Sequence, residues 1–175
     1  MKTPIGFLHV ESKGDVLTAL EFHDRPGSAP RGAIQERLEA YFRGDLSALE
    51  EIEVEIGGTP FQHLVWEELR RIPVGETISY GELARRIGRP KAVRAVGAAN
   101  GQNPIGLVVP CHRVIGADGS LTGYGGGLPR KEWLLAHERS PALPLFGALS
   151  GARSGDPSAR ASSWRREGRR IRGPR

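Results

Sequence analysis

Apolar and β-prone side chains concentrate at residues 4–10 and 16–22, and Lys13-Gly14-Asp15 between them has turn chemistry, so the chain opens with a predicted β-hairpin. Over residues 31–43 the period changes: Ile34, Leu38, Tyr41 and Phe42 recur at helical spacing, and Gly44 suits the stop. Ile52, Val54 and Ile56 then alternate like a third strand. These elements predict a small α/β domain over residues 1–58, with the Gly57-Gly58 pair as a hinge.

A second unit, residues 59–140, starts at Thr59-Pro60-Phe61-Gln62, a capping box with proline at the first helical position, and Phe61, Leu64, Val65, Leu69 and Ile72 are expected on one face of the helix. Ser79-Tyr80-Gly81-Glu82 is a second capping box, opening a short helix that Gly88 can end. A third helix is expected from Pro90, fraying near Gly101. Three helices in this order, joined by short turns, predict a helix-turn-helix in which residues 90–100 are the recognition helix. That helix is a run of small residues around one long cation, Arg94. Tight helix packing also selects Ala and Gly; the alternative is a backbone that approaches a DNA minor groove, with Arg94 long enough to enter the base stack. Residues 105–109 look like a short buried strand continued by Val114-Ile115, Asp118-Gly119 marks a turn, and Gly123 to Gly127 a flexible loop. Residues 128–138 predict a last helix with Trp133, Leu134 and Leu135 on its apolar face. Beyond it, Pro, Ala, Gly, Ser and Arg without periodicity predict a disordered basic tail over residues 141–175.

Composition adds limits. The chain has 175 residues, 38% of them hydrophobic, enough for one medium domain or two small ones around a real core. No stretch reaches the roughly 18 apolar residues needed to cross a bilayer, and the start has no secretory h-region, so a cytoplasmic protein is expected. The net charge of +5 is unevenly spread: residues 1–59 hold 6 basic and 11 acidic side chains, residues 60–138 hold 10 and 7, and residues 150–175 hold 8 Arg against 2 acids. The first third repels a polyanion and the later segments attract one, although a merely solvated surface would look similar. The single cysteine excludes an internal disulfide, a multi-thiolate zinc site and a dithiol redox cycle.

That cysteine, Cys111, is also the candidate nucleophile. It follows Pro110 and precedes His112 and Arg113, whose charges could favour the thiolate on which cysteine chemistry depends. Adjacent residues on an extended chain point to opposite faces, so His112 reaches the sulfur only if the backbone turns, or through one water. A free cysteine in a core is otherwise an inert small hydrophobe.

The motif Pro110-Cys111-His112-Arg113-Val114 resembles the PCHRV active-site motif of the O6-alkylguanine-DNA alkyltransferases, the methylated-DNA-protein-cysteine methyltransferases. The resemblance extends to Ile78-Ser79-Tyr80-Gly81, to RAVGAANGQNP over residues 94–104 and to TGYGGGLPRKEWLLAHE over residues 122–138; it is dense over residues 59–138 and looser before them. It implies a mixed α/β plus α fold: a small ribonuclease-H-like N-terminal domain, then a mainly helical domain with a helix-turn-helix, winged-helix-like DNA-binding motif. The implied activity is direct-reversal DNA repair, in which the alkyl group of O6-alkylguanine moves once and irreversibly to Cys111. The implied roles follow by position. His112 acts as the base through water, Glu138 orients it, and Asn103 braces the turn presenting the cysteine. Tyr80 pairs with the base and Arg94 fills the gap left by the flipped nucleotide, while Ala95 and Gly97 are counted among the DNA-binding small residues that let the helix backbone approach the minor groove. Carbonyls of Cys111 and Val114 accept from the guanine amino group, the Gly125 amide faces O6, and Tyr124 lines the pocket.

The implied partner is double-stranded DNA bound through the minor groove by a monomer, with no cofactor; O4-alkylthymine stays open as a second substrate. Some relatives carry an N-terminal zinc site, but none of the five histidines here has a cysteine partner, so no metal is expected. Arg89 departs from the Asn or Ser that would cap the third helix better, and the Arg-rich tail exceeds the family's usual end. Two other classes remain: a non-catalytic alkylated-DNA-binding module, against which the presence of Cys111 speaks, and a thiol-based sensor, weakened by the lack of a second cysteine.

Overall fold

The computed structural model describes residues 1–27 and 30–139, so the tail expected over residues 141–175 lies outside the described residues. The predicted hairpin is present as β2 (Gly6–Lys13) and β3 (Val16–His23), with the short β1 (Lys2–Thr3) antiparallel to β2 at the edge. Lys13 pairs with Val16, which leaves Gly14-Asp15 as the whole loop, and Gly14 takes the positive φ of 63° that a two-residue hairpin turn demands. Leu8 and Val10 from β2 and Leu17 and Leu20 from β3 enter the core with Ile34, Leu38 and Tyr41 of α1 (Ala33–Phe42). Gly44 stops the chain there at φ 106°.

The expected third strand does not form. Residues 45–52 satisfy their backbone in local turns, and the following segment touches β3 at one point: Leu17 N donates to Glu53 O and Glu55 N donates to Leu17 O, each at 2.9 Å. The alternation at Ile52, Val54 and Ile56 serves instead to plug Ile52 into the core, while Val54 and Ile56 pack at its margin.

Helix α2 (Pro60–Leu69) begins with both halves of its capping box, Gln62 N donating to Thr59 Oγ1 at 3.3 Å and Thr59 N to Gln62 Oε1 at 2.8 Å. Its buried face is rotated from the expected one: Leu64 is 39% exposed and Phe61 half-buried, while Trp66 is buried and its Nε1 donates to Ala99 O at 2.8 Å. Helix α3 (Tyr80–Arg86) is capped by Ser79, which accepts from Glu82 N at 3.1 Å. The reciprocal half of that predicted box is missing, because the Glu82 carboxylate turns to Arg85 and Arg86. Gly88 follows at φ 71°.

The third helix of this unit, α4 (Val93–Gly101), starts later than expected from Pro90. Residues 89–92 form a turn closed by Ala92 N donating to Arg89 O at 2.8 Å, and Ala92 caps the helix without a side-chain hydrogen bond. Residues 105–109 are buried as expected but are not a strand. Ile105 bridges Leu20, then the chain coils through Leu107 at φ 74°, with Val109 N donating to Ile105 O at 3.0 Å. A short apolar run reads the same whether it is a strand or a buried coil. Parallel β4 (Ile78–Ser79) and β5 (Val114–Ile115) and helix α5 (Leu128–Arg139) complete a mixed α/β architecture whose core cluster runs from the hairpin to α5. Among the described residues no helix is long and apolar enough to cross a membrane.

Candidate active site

Cys111 opens a single 3-10 turn, Cys111–Arg113, between Pro110 and β5. The turn removes the strand-like alternation and folds His112 inward. Cys111 itself is 6% exposed and lies against a cavity of about 230 Å³. Asn100 and Asn103 from the end of α4 line one side, Tyr124, Gly125 and Gly126 another, and Leu20, Glu21 and Phe22 of β3 a third. Close packing shapes the glycine side: a Cβ on Gly126 would meet Tyr124 Cε1 at 2.8 Å and Phe22 Cδ2 at 3.2 Å. No pattern in the sequence marks β3 as a pocket wall, since hairpin packing alone accounts for its apolar residues.

Asn103 ties together the two ends of the coil that leads to the cysteine. Its Oδ1 accepts from Ile105 N at 3.1 Å and its Nδ2 donates to Val109 O at 2.7 Å. Burial pushes the Cys111 thiol above its ordinary pKa, while Asn103, Lys131 and the backbone amides of residues 111 and 112 pull it back. The expected field from Arg113 is not among these causes.

Arg113 points the other way. Its Nε and Nη2 donate to both Glu138 oxygens at 2.8 Å, and its Nη1 donates to Ile72 O at 2.7 Å. Glu138 Oε1 also accepts from Tyr41 Oη and from His112 Nε2, each at 2.9 Å. Burial alone would raise the Glu138 pKa, but the hydrogen bonds from His112 and Arg113 and the charge of Arg113 overcome it and hold the carboxyl well below the usual range. The ionised carboxylate can only accept, so His112 Nε2 carries the proton and Nδ1 is the basic nitrogen. Nδ1 is buried and finds no hydrogen-bond partner among the described residues. Burial also lowers the His112 pKa, against the pull of Glu138, which keeps the ring neutral.

Lys131 is fully buried; its Nζ donates to Val114 O at 2.6 Å and to Thr122 O at 2.8 Å. Tyr80 flanks the site, with Oη donating to Thr122 O at 3.2 Å, and Gly97 lies under its ring. Arg94 and Ala95 are on the exposed face of α4, away from the cavity. Thus Cys111, Asn103, Tyr124 and Gly125 share the cavity and His112 and Glu138 sit behind it. Val114 carries its carbonyl to Lys131, and Arg94, Ala95 and Gly97 belong to the α4 surface. Sequence reasoning missed Lys131, Tyr41 and Asn100. One signal was available: Lys131, Leu134, Leu135 and Glu138 form the buried stripe of α5 at helical spacing, and two ions in such a stripe must be partnered.

Comparison with known proteins gives the family. A family model described as "6-O-methylguanine DNA methyltransferase, DNA binding domain" matches residues 60–140. A methylated-DNA-protein-cysteine methyltransferase of Mycolicibacterium paratuberculosis is 52% identical over 158 residues, covering 82% of this chain and 94% of the relative. One of the same name from Salmonella typhimurium is 55% identical over 118 residues, 67% of this chain and 69% of the relative. Among solved structures, Mycobacterium tuberculosis OGT in complex with DNA superposes with a TM-score of 0.73 at 48% identity, covering 81% of this chain and 93% of that one.

Proposed function

From the premise that this chain belongs to the methylated-DNA-protein-cysteine methyltransferases, which repair alkylated DNA by direct reversal, we propose that Cys111 is the acceptor sulfur and O6-alkylguanine in DNA the donor. The observation that carries this reading is the buried Cys111 thiol at a cavity, next to a histidine whose tautomer Glu138 fixes and whose Nδ1 has no hydrogen-bond partner among the described residues. His112 Nδ1 takes the thiol proton through one water, the thiolate attacks the alkyl carbon, and the C–O bond breaks to leave guanine. The proton passes back to the base, and the carbon ends in a thioether that has no good leaving group. One molecule therefore acts once.

The remaining roles follow from position. Chemistry on a base inside a duplex requires extrusion, and the exposed face of α4 offers Arg94 to fill the gap with Ala95 beside it. Small residues there suit a minor groove, with α3 and α4 as a helix-turn-helix of winged-helix type. Tyr80, Tyr124, the Gly125 amide and the carbonyls of Cys111 and Val114 receive the base. Residues 1–58 form the ribonuclease-H-like unit and residues 59–140 the DNA-binding and acceptor unit. The lone thiol suits a cytoplasmic monomer.

The test is mass spectrometry of the full chain after incubation with duplex DNA containing O6-methylguanine. One added methylene on Cys111, absent from Cys111→Ser, is expected. Binding of that DNA without modification overturns the acceptor role and leaves a damage-recognition module.

A further inference from the structure

One buried polar group at the Cys111 cavity has no part in the reaction above. Asn100, in the last turn of α4, is 2% exposed and lines the cavity. Its Nδ2 donates to the Cys111 carbonyl at a long 3.5 Å. Its Oδ1 has no hydrogen-bond partner among the described residues. Asn103, one turn further along, contrasts with it, since both ends of that amide are bonded to backbone. An aliphatic residue could pack at the end of α4 without leaving an interior acceptor unpaired, and an unpaired acceptor is costly. With Nδ2 turned to the Cys111 carbonyl, the oxygen, not the NH2 group, is left for whatever enters.

We infer that Asn100 reads the base: its Oδ1 accepts a hydrogen bond from the exocyclic 2-amino group of the extruded O6-alkylguanine. This rests on the alkyl-acceptor reading of Cys111. The Cys111 carbonyl, to which Asn100 Nδ2 donates, is a further acceptor on that edge beside the Val114 carbonyl, which Lys131 Nζ already holds, so Asn100 Oδ1 adds to the carbonyl acceptors for the amino group. A purine lacking the amino group leaves Oδ1 buried and unsatisfied. A pyrimidine such as O4-alkylthymine presents a carbonyl oxygen instead of a donor. Sites built to hydrogen-bond a substrate group reject analogues without it far more strongly than apolar pockets do, because their own polar atoms are stranded.

Single-turnover rates of methyl transfer to Cys111 are to be compared for duplexes carrying O6-methylguanine and O6-methylhypoxanthine, which differ only in the amino group. The full-length wild type, Asn100→Leu and Asn100→Ala are the proteins. In wild type the guanine substrate should react about tenfold faster or more. In both variants that ratio should shrink by about fivefold, chiefly through slower reaction of the guanine substrate. A wild-type ratio near one overturns the inference even if the variants fail to fold, and so does an equal loss on both bases in folded variants. Absence of transfer from either base to wild-type Cys111 is a different result, which overturns the acceptor reading itself.

Discussion

Lys131 is an ammonium group with no exposed surface, held by the carbonyls of Val114 and Thr122. It does two things at once, since it satisfies those carbonyls and acts as the nearby cation that favours the Cys111 thiolate. Lys131→Met keeps the volume and removes both effects. We expect it to cost about 2–4 kcal/mol in urea unfolding, because two buried acceptors lose their donor. The thiol should also react several-fold more slowly with iodoacetamide at fixed pH; unchanged reactivity would contradict the electrostatic role. Tyr41→Phe is the milder companion. Glu138 Oε1 loses one of its donors but keeps His112 and Arg113, so the cost should be about 1–2 kcal/mol, with the methyl-transfer rate within a few-fold of wild type.

At the scale of elements, α4 divides its labour between two faces. Val96, Ala99 and Asn100 are buried against α2, α3 and the cysteine turn, whereas Arg94, Ala95 and Ala98 are exposed. Arg94→Ala should therefore slow repair of duplex DNA by about tenfold or more while leaving reaction with free O6-benzylguanine unchanged, because only the duplex needs a base flipped out. Parallel losses on the two substrates would place Arg94 in the chemistry instead. The same elements show what a sequence can and cannot disclose. The hairpin, α2 with its capping box and the Gly44 and Gly88 stops were legible because their signals are local: turn chemistry, caps and period. The segment at residues 52–56 and the coil at residues 105–109 were misread because both are short apolar runs whose backbone partners lie elsewhere in the chain. The start of α4 was misplaced because Pro90 suits a first helical turn, yet the chain spends residues 89–92 on a separate turn.

For the whole molecule, the telling feature is the bonded cluster of Tyr41, Ile72, His112, Arg113 and Glu138, which links α1, the turn after α2, the cysteine turn and α5. Its long-range contacts explain why the motif residues Cys111 and His112 were legible while Tyr41, 97 positions before its partner, was not. The cluster also sets the acid limit of the fold. His112 is held below its ordinary value of 6.5 by burial, and Glu138 below 4.5 by its hydrogen bonds and ion pair. Both folded-state values are depressed, so on acidification the unfolded chain takes up these protons first. Stability should be full above about pH 7, begin to fall as His112 is passed and fall faster below about pH 4.5. Urea midpoints across that range check this, and Glu138→Gln, although less stable at neutral pH, should show a shallower fall at the acid end.

The hydrogen bond from the Trp66 indole to Ala99 O has an optical consequence. It couples a fluorophore in the core to the backbone of the helix that carries the exposed Arg94 face, while Trp133 is stacked on His137 at 4.7 Å and is open to quenching by that ring. A small displacement of α4 on docking should change the Trp66 environment and shift its emission. In a Trp164→Phe background, which removes the tryptophan of the Arg-rich segment, undamaged duplex should therefore report its own binding through intrinsic fluorescence, and adding Trp66→Phe should abolish that shift while binding persists.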